Sequence, residues 1–305
     1  MLCLFPMVGY RSRYSGKRTI DFLIYGTAVS SALALFRYFS GAVDRAAPFS
    51  GGYTTLAIFI AAVIPLAIWK CSEIKSSRKW IYTGLTILMA FALVFTKTRA
   101  GWLAALVGLL IIGFTLNKKR TLVALSLGIV LIAIIPNTRN IILERFEANK
   151  KGGVTSGRVL LYKSVAEPLS ALPIFGYGPG SFTKLVSPNV LEKTGDTRIK
   201  SWHSTPLEIL LESGSITLLI FMILAFLPVK ESLRKRKYFP SQKLLQTAVL
   251  GSLTALYLAG LTTNLARDFM LLSLLALLWS IPYSIPDSFI ETGGDSETNK
   301  VLTDG

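Results

Sequence analysis

One histidine occurs in the 305 residues, His203, within Trp202-His203-Ser204-Thr205-Pro206-Leu207-Glu208, where a polar stretch passes into a long apolar run. Histidine is the side chain best suited to take a proton near neutral pH, so it is a candidate base for a substrate hydroxyl. Glu208 and Glu212 follow one helical turn apart on a shared face, placed either to orient the imidazole or to hold the loop by hydrogen bonds. Two arginines complete the chemistry. Arg99 lies in Thr96-Lys97-Thr98-Arg99-Ala100-Gly101-Trp102, a tight turn between two apolar runs. A guanidinium beside the N-terminus of the next helix makes a phosphate cradle. Arg158, in Gly157-Arg158-Val159-Leu160-Leu161-Tyr162, is expected where a helix opens, again a cation among backbone N–H donors. A base and two cations suit a reaction in which a hydroxyl attacks and an anion leaves. Each also has a plainer reading: a lone histidine is often structural, and an arginine at a membrane boundary can be a snorkelling anchor.

These residues need elements to hold them, and composition shows which. Hydrophobic residues make up 51% and charged residues 16% of the chain, with mean hydropathy +0.52. Soluble domains carry about 25% charged residues. The apolar residues arrive in blocks at 20–39, 54–69, 80–96, 102–116, 121–135, 206–228, 244–261 and 269–282. A bilayer core needs about 20 apolar residues per helix, and lipid tolerates no unpaired backbone, so such blocks read as helices. The expected fold is all-α: a polytopic integral membrane protein with about eight transmembrane helices and one large, partly helical extracytoplasmic loop. The fifth and eighth blocks are short, and no repeat of solenoid period is present.

The net charge of +16 would fit nucleic acid, but the basic residues sit between the apolar blocks rather than along one face. Arg11, Arg13, Lys17 and Arg18 precede the first block. Lys70, Lys75, Arg78 and Lys79 follow the second, and Lys118, Lys119 and Arg120 follow the fourth. With Lys230, Arg234, Lys235, Arg236, Lys237 and Lys243 after the sixth, these make 17 of the 33 Lys and Arg, all on one side. Short connections on the other side hold only Arg37, Arg45, Lys97, Arg99 and Arg267. The positive-inside rule makes the rich side cytoplasmic, with both termini there. Residues 1–10 are apolar without a signal peptide's basic leader and read as the stub of a preceding membrane helix. Cys3 and Cys71 both fall on the inner side, with no metal-ligand spacing around them.

Four regions follow: an N-terminal transmembrane region at 1–135, an outer loop at 136–205, a C-terminal transmembrane region at 206–286 and a polar tail at 287–305. The tail is acidic and expected to be disordered. A loop beyond 12–15 residues usually carries function or disorder. Helices are expected here at 141–146 and 157–169, and 173–182 (PIFGYGPGSF) is a turn studded with aromatics. Ten basic residues face five acidic ones in this loop. That excess, including Arg198 and Lys200, suits an anionic ligand such as a phosphate; attraction to lipid headgroups is the plainer alternative.

These segments together resemble the O-antigen ligase and polymerase superfamily of bacterial envelope glycosyltransferases. Its hallmarks are an outer turn T-x-S-R-G/A, a G-R-x-x-x-W segment, a G-x-G-x-x-x-F turn and an H-N-x-x-L-E-x-x-x-E-x-G re-entry. They match 96–101, 157–162, 176–182 and 203–214 in that order, within a similarity over roughly residues 45–230. Thr98 stands in place of serine, Tyr162 of tryptophan and Ser204 of asparagine. None of these departures removes a charge. The family carries more spans ahead of its large loop, so about four N-terminal spans are expected to be missing here.

The resemblance implies transfer of a glycan from a polyprenyl-diphosphate carrier, at the outer face of a bacterial inner membrane, to a hydroxyl of an acceptor glycan or glycolipid. His203 would accept the hydroxyl proton, and Arg99 and Arg158 would stabilise the leaving diphosphate. Attack opposite the diphosphate would invert the anomeric centre. Lys97, Arg198, Lys200 and Glu208 are candidate substrate-binding residues. No metal or cofactor is expected, since the sequence holds no D-x-D motif. Membrane lipid is the expected surroundings, and nucleic acid is not an expected partner. The competing class is a transporter of a small anion or lipid-linked sugar. Such carriers place ionisable residues near the bilayer midplane on interrupted helices, whereas the charges here cluster toward the ends of the apolar blocks; Pro65 and several glycines could break the helices.

Overall fold

The computed structural model describes residues 15–48, 52–119, 121–122, 160–194 and 199–285. Four long helices come first: α1 Ser15–Phe39, α2 Tyr53–Glu73, α3 Arg78–Phe95 and α4 Arg99–Leu116. Among the described residues of the connection before the next long helix come α5 Ala166–Ser170, α6 Phe182–Leu185 and α7 Pro188–Thr194. Then come α8 Thr205–Tyr238, a 3₁₀ turn at Pro240–Gln242, α9 Lys243–Gly260 and α10 Phe269–Ser284. No strand occurs among the described residues.

Among the described residues five helices are long and apolar enough to cross a membrane: Lys17–Phe39, Tyr53–Glu73, Arg78–Phe95, Arg99–Leu116 and Thr205–Tyr238. The expected block at 121–135 lies outside the described residues apart from its first two positions. The expected blocks at 244–261 and 269–282 are helical as α9 and α10, but α10 is short. α9 carries Gln246, Thr247 and Ser252, all buried. It lies at the centre of the bundle, against α2, α4 and α8. A helix shielded from lipid by its neighbours can keep polar side chains that a lipid-facing one cannot.

Small residues let that centre close. A Cβ on Gly108 of α4 would lie 3.1 Å from the Gly251 carbonyl of α9 and 3.1 Å from Pro65 Cγ of α2. One on Gly101 would lie 2.7 Å from Ala57 Cβ. Close backbone approach of this kind is how helices gain packing energy where lipid is as apolar as the side chains. α2 runs unbroken through Pro65.

Polar contacts at the helix ends sort into two layers. At one end Lys17 Nζ meets Glu73 Oε1 at 2.7 Å and Lys70 Nζ meets Asp21 Oδ1 at 3.0 Å. Tyr82 donates to Asp21 as well, and Lys235 donates to the carbonyl of Ile285. At the opposite end Thr55 donates to Asp268 at 2.5 Å and Thr205 to the carbonyl of Thr263 at 2.8 Å. Each pair joins ends that alternate crossing places on the same side. α8 also runs ten residues past the expected stop at Pro228, through a basic stretch in which Glu231 and Arg234 pair across one turn at 2.7 Å.

Candidate active site

The connection before α8 has a small core of its own. Leu161, Val165, Phe182, Val186, Trp202 and Leu211 are buried together, with the Phe182 and Trp202 rings edge-on at 4.9 Å. Leu161 comes from the Gly157–Tyr162 motif, Phe182 from the glycine-rich turn, and Trp202 and Leu211 from the re-entry. One cluster of side chains thus ties three of the motifs together. The expected helix over 157–169 is interrupted: 160–163 and 166–170 are helical, with a turn at 164–165 between them. In a continuous helix the ring of Pro168 would collide with the carbonyl of residue 164, whereas in the first turn of α5 it is tolerated.

The glycine-rich turn grips a break in α8. Gly214 has φ 85° and ψ 176°, outside helical geometry. The Leu211 and Glu212 carbonyls accept hydrogen bonds from Tyr177 N at 2.7 Å and Gly178 N at 3.0 Å, so backbone groups at the break are satisfied by the turn. The two chains touch so closely that a Cβ on Gly214 would sit 1.9 Å from the Ile174 carbonyl oxygen, and one on Gly176 2.6 Å from Gly214 N. The motif glycines are therefore the two halves of one backbone contact. Tyr177 fastens the turn from the other side, donating to the carbonyls of Pro168 and Ala171 at 2.8 and 3.0 Å.

His203 stands beside this core. It is half-buried and has φ 51°, in the left-handed region. Among the described residues only one other non-glycine residue has positive φ, and that is Lys97, at 53°. Such conformations cost energy and persist only where the surroundings impose them. Both residues belong to the chemistry-bearing segments. Trp202 N, next to His203, donates to Glu208 Oε2 at 2.9 Å. Glu208 is buried, 2% exposed, and its other oxygen lies 2.7 Å from Arg267 Nε, an ion pair rather than an aligned hydrogen bond. Glu212 Oε1 accepts from Gly180 N at 2.7 Å and also pairs with Arg267. Of the two roles open to these carboxylates, holding the loop is the one these contacts display.

The turn before α4 lies at the same end of the bundle. Thr96 is buried and bonds back to the Leu93 carbonyl at 2.7 Å, which also accepts from Trp102 Nε1 at 2.9 Å. Lys97 Nζ sits 5.6 Å over the Tyr38 ring, and Arg99 opens α4 with an exposed side chain. A route of contacts links this turn to the re-entry: Gly101 abuts Ala57, Thr55 binds Asp268, and the adjoining Arg267 binds Glu208. Lys200 is exposed, and its carbonyl accepts from Arg267 at 2.6 Å. Arg158 and Arg198 lie outside the described residues. The residue that sequence reasoning passed over is Arg267, noted only as a stray charge in a short connection. Its one visible signal is being a lone cation just ahead of Asp268, whose side chain caps α10.

The described residues form an all-helical protein with five helices long and apolar enough to cross a membrane, and the connection before α8 is folded onto the start of that helix. Residues 84–222 match the family model described as O-antigen ligase. The match is a likeness over less than half of the chain, a span narrower than the resemblance read from the motifs but including all four of them. No curated protein matches the chain.

Proposed function

We propose that this chain is a cell-envelope ligase or polymerase, moving a glycan from a polyprenyl-diphosphate carrier to a hydroxyl of a glycan or glycolipid acceptor. The observation that carries this reading is the shared core of Leu161, Phe182, Trp202 and Leu211, which gathers three motif segments of the matched family beside His203. In the reaction the acceptor oxygen bonds to the anomeric carbon, and the bond from that carbon to the diphosphate oxygen breaks. The hydroxyl proton passes to His203, a contribution of about 10²–10⁴ in rate. The charge left on the diphosphate is met by Arg99 and Arg158; losing one such donor costs roughly 10²–10³. Attack from the face opposite the diphosphate inverts the anomeric centre. Lys97, Arg198 and Lys200 hold the anionic donor at the membrane surface, and Glu208 acts on the loop rather than on the substrate. The scheme calls for no metal.

The proposed topology has about eight spans, a cytoplasmic basic side and the site outside. Transfer is tested in vesicles holding the full chain, a polyprenyl-diphosphate glycan and an acceptor, with and without chelator, against His203→Ala. Transfer that ignores chelator and collapses with the substitution supports the reading, and product length then separates ligation from polymerisation. Transfer that survives His203→Ala undiminished removes the histidine from the mechanism.

A further inference from the structure

We propose that Arg267, beyond the residues that match the family model, is a positioning residue for His203; the role rests on the transfer reading above. Its guanidinium makes three contacts at once. Nε lies 2.7 Å from Glu208 Oε1, one terminal nitrogen meets Glu212, and the other donates to the Lys200 carbonyl at 2.6 Å. One rigid plane therefore grips the chain on both sides of His203. Through Glu208 the grip reaches Trp202 N, the amide next to the histidine. Through Glu212 it reaches Gly180 N in the glycine-rich turn.

The connection that carries Arg267 is itself pinned. Asn264 Oδ1 accepts from Ala266 N at 3.0 Å and Arg267 N at 3.3 Å. Thr205 Oγ1 donates to the Thr263 carbonyl and accepts from Leu265 N at 2.9 Å. Asp268 caps α10 and holds Thr55 of α2. The guanidinium is thus fixed to the membrane bundle, and the loop is fixed to the guanidinium. His203 needs such an anchor, because a left-handed backbone at φ 51° relaxes unless its neighbours impose it. Removing Arg267 would leave the buried Glu208 carboxylate without its cation, which favours opening of the segment. A lysine carries the charge but not the planar fork, so it replaces the grip only in part.

Because His203 is the only histidine in the chain, ring-labelled histidine in protein purified without a histidine tag gives a single magnetic-resonance reporter. In the full chain in lipid discs, Arg267→Ala is expected to shift, split or broaden that signal, and Arg267→Lys to bring it part of the way back. In the transfer assay Arg267→Ala is expected to lower kcat roughly 10²-fold, the scale of a misplaced catalytic group, with donor KM little changed. A signal and kcat both unmoved by Arg267→Ala overturn the proposal. So does a raised donor KM at constant kcat, which would make Arg267 a phosphate ligand. If Arg267→Ala does not fold, Glu212→Gln keeps an acceptor oxygen for Gly180 while removing one of the two carboxylate charges; an unmoved signal there also overturns it. If the unaltered chain transfers from no polyprenyl-diphosphate donor, the transfer reading fails by itself, and the resonance comparison still decides whether Arg267 positions His203.

Discussion

The backbone at His203 separates what the residue does for folding from what it does for chemistry. Left-handed φ is tolerated by asparagine better than by most residues, whereas a β-branched side chain is a genuine outlier there. His203→Asn is therefore expected to fold as the unaltered chain does while losing transfer by about 10²–10⁴, the worth of a general base. His203→Val should lose transfer and also lower the melting temperature of the purified protein. If His203→Asn keeps transfer, the imidazole is not the base. The glycines offer a second contrast. Gly178 and Gly214 have similar positive φ, but a Cβ on Gly178 meets nothing within 4 Å while one on Gly214 would penetrate the Ile174 carbonyl. Gly178→Ala should cost only the conformational term, about 1–2 kcal/mol. Gly214→Ala adds a backbone collision and should cost clearly more. Hydrogen exchange over 174–182 is the measurement, and equal effects would mean that the contact between turn and helix does not hold in solution.

At the scale of the element, tight packing holds α9 at the centre of the bundle. A Cβ on Gly251 would come within 2.9 Å of the Gly108 carbonyl, a backbone atom that cannot step aside. Gly251→Ala should push α4 and α9 apart and cost about 1–3 kcal/mol, as overpacked cores do. Gly84 on α3 has nothing within 4 Å, so Gly84→Ala should be stabilising by about 0.4–1 kcal/mol. Reversible unfolding in detergent distinguishes the two, and the reverse order would contradict this packing of α4 on α9. Such contacts also mark the limit of what a sequence discloses. α1 to α4 and α8 were legible because apolar blocks of the right length are bounded by charge. The order of the motifs pointed to His203 and Arg99 because their neighbours are short-range. The break at 164–165 was legible too, in Pro168, had its clash been weighed against the apolar pattern. Arg267 was not: its partners lie on another helix and in another loop, and no local pattern links a lone arginine to Glu208, Glu212 and Lys200.

For the whole molecule, the charge asymmetry and the contacts are separate arguments for one topology. The positive-inside rule assigns the connection after α2 and the one after α8 to the cytoplasm, and it does so without reference to contacts. The contacts then pair Lys17 with Glu73 and Lys235 with Ile285 at one end, and Thr55 with Asp268 and Glu208 with Arg267 at the other. A bundle joined this way turns over only as a unit, so one labelled site on each side fixes the rest. Ser76, Ser187 and Ser241 are exposed and lie in connections. The two native cysteines, Cys3 and Cys71, are replaced by serine in all the labelled variants, so that any signal comes from the introduced thiol. In intact cells, with any outer membrane made permeable, a thiol reagent that cannot cross the inner membrane should label Ser187→Cys and spare Ser76→Cys and Ser241→Cys until the cells are lysed. Labelling of Ser76→Cys and Ser241→Cys but not Ser187→Cys would invert the molecule and place His203 on the cytoplasmic side, where a nucleotide-activated donor would have to be considered in place of a lipid-linked one. Labelling of Ser76→Cys and Ser187→Cys together would instead mean that the helices between them do not cross in the alternating order the end-to-end contacts require.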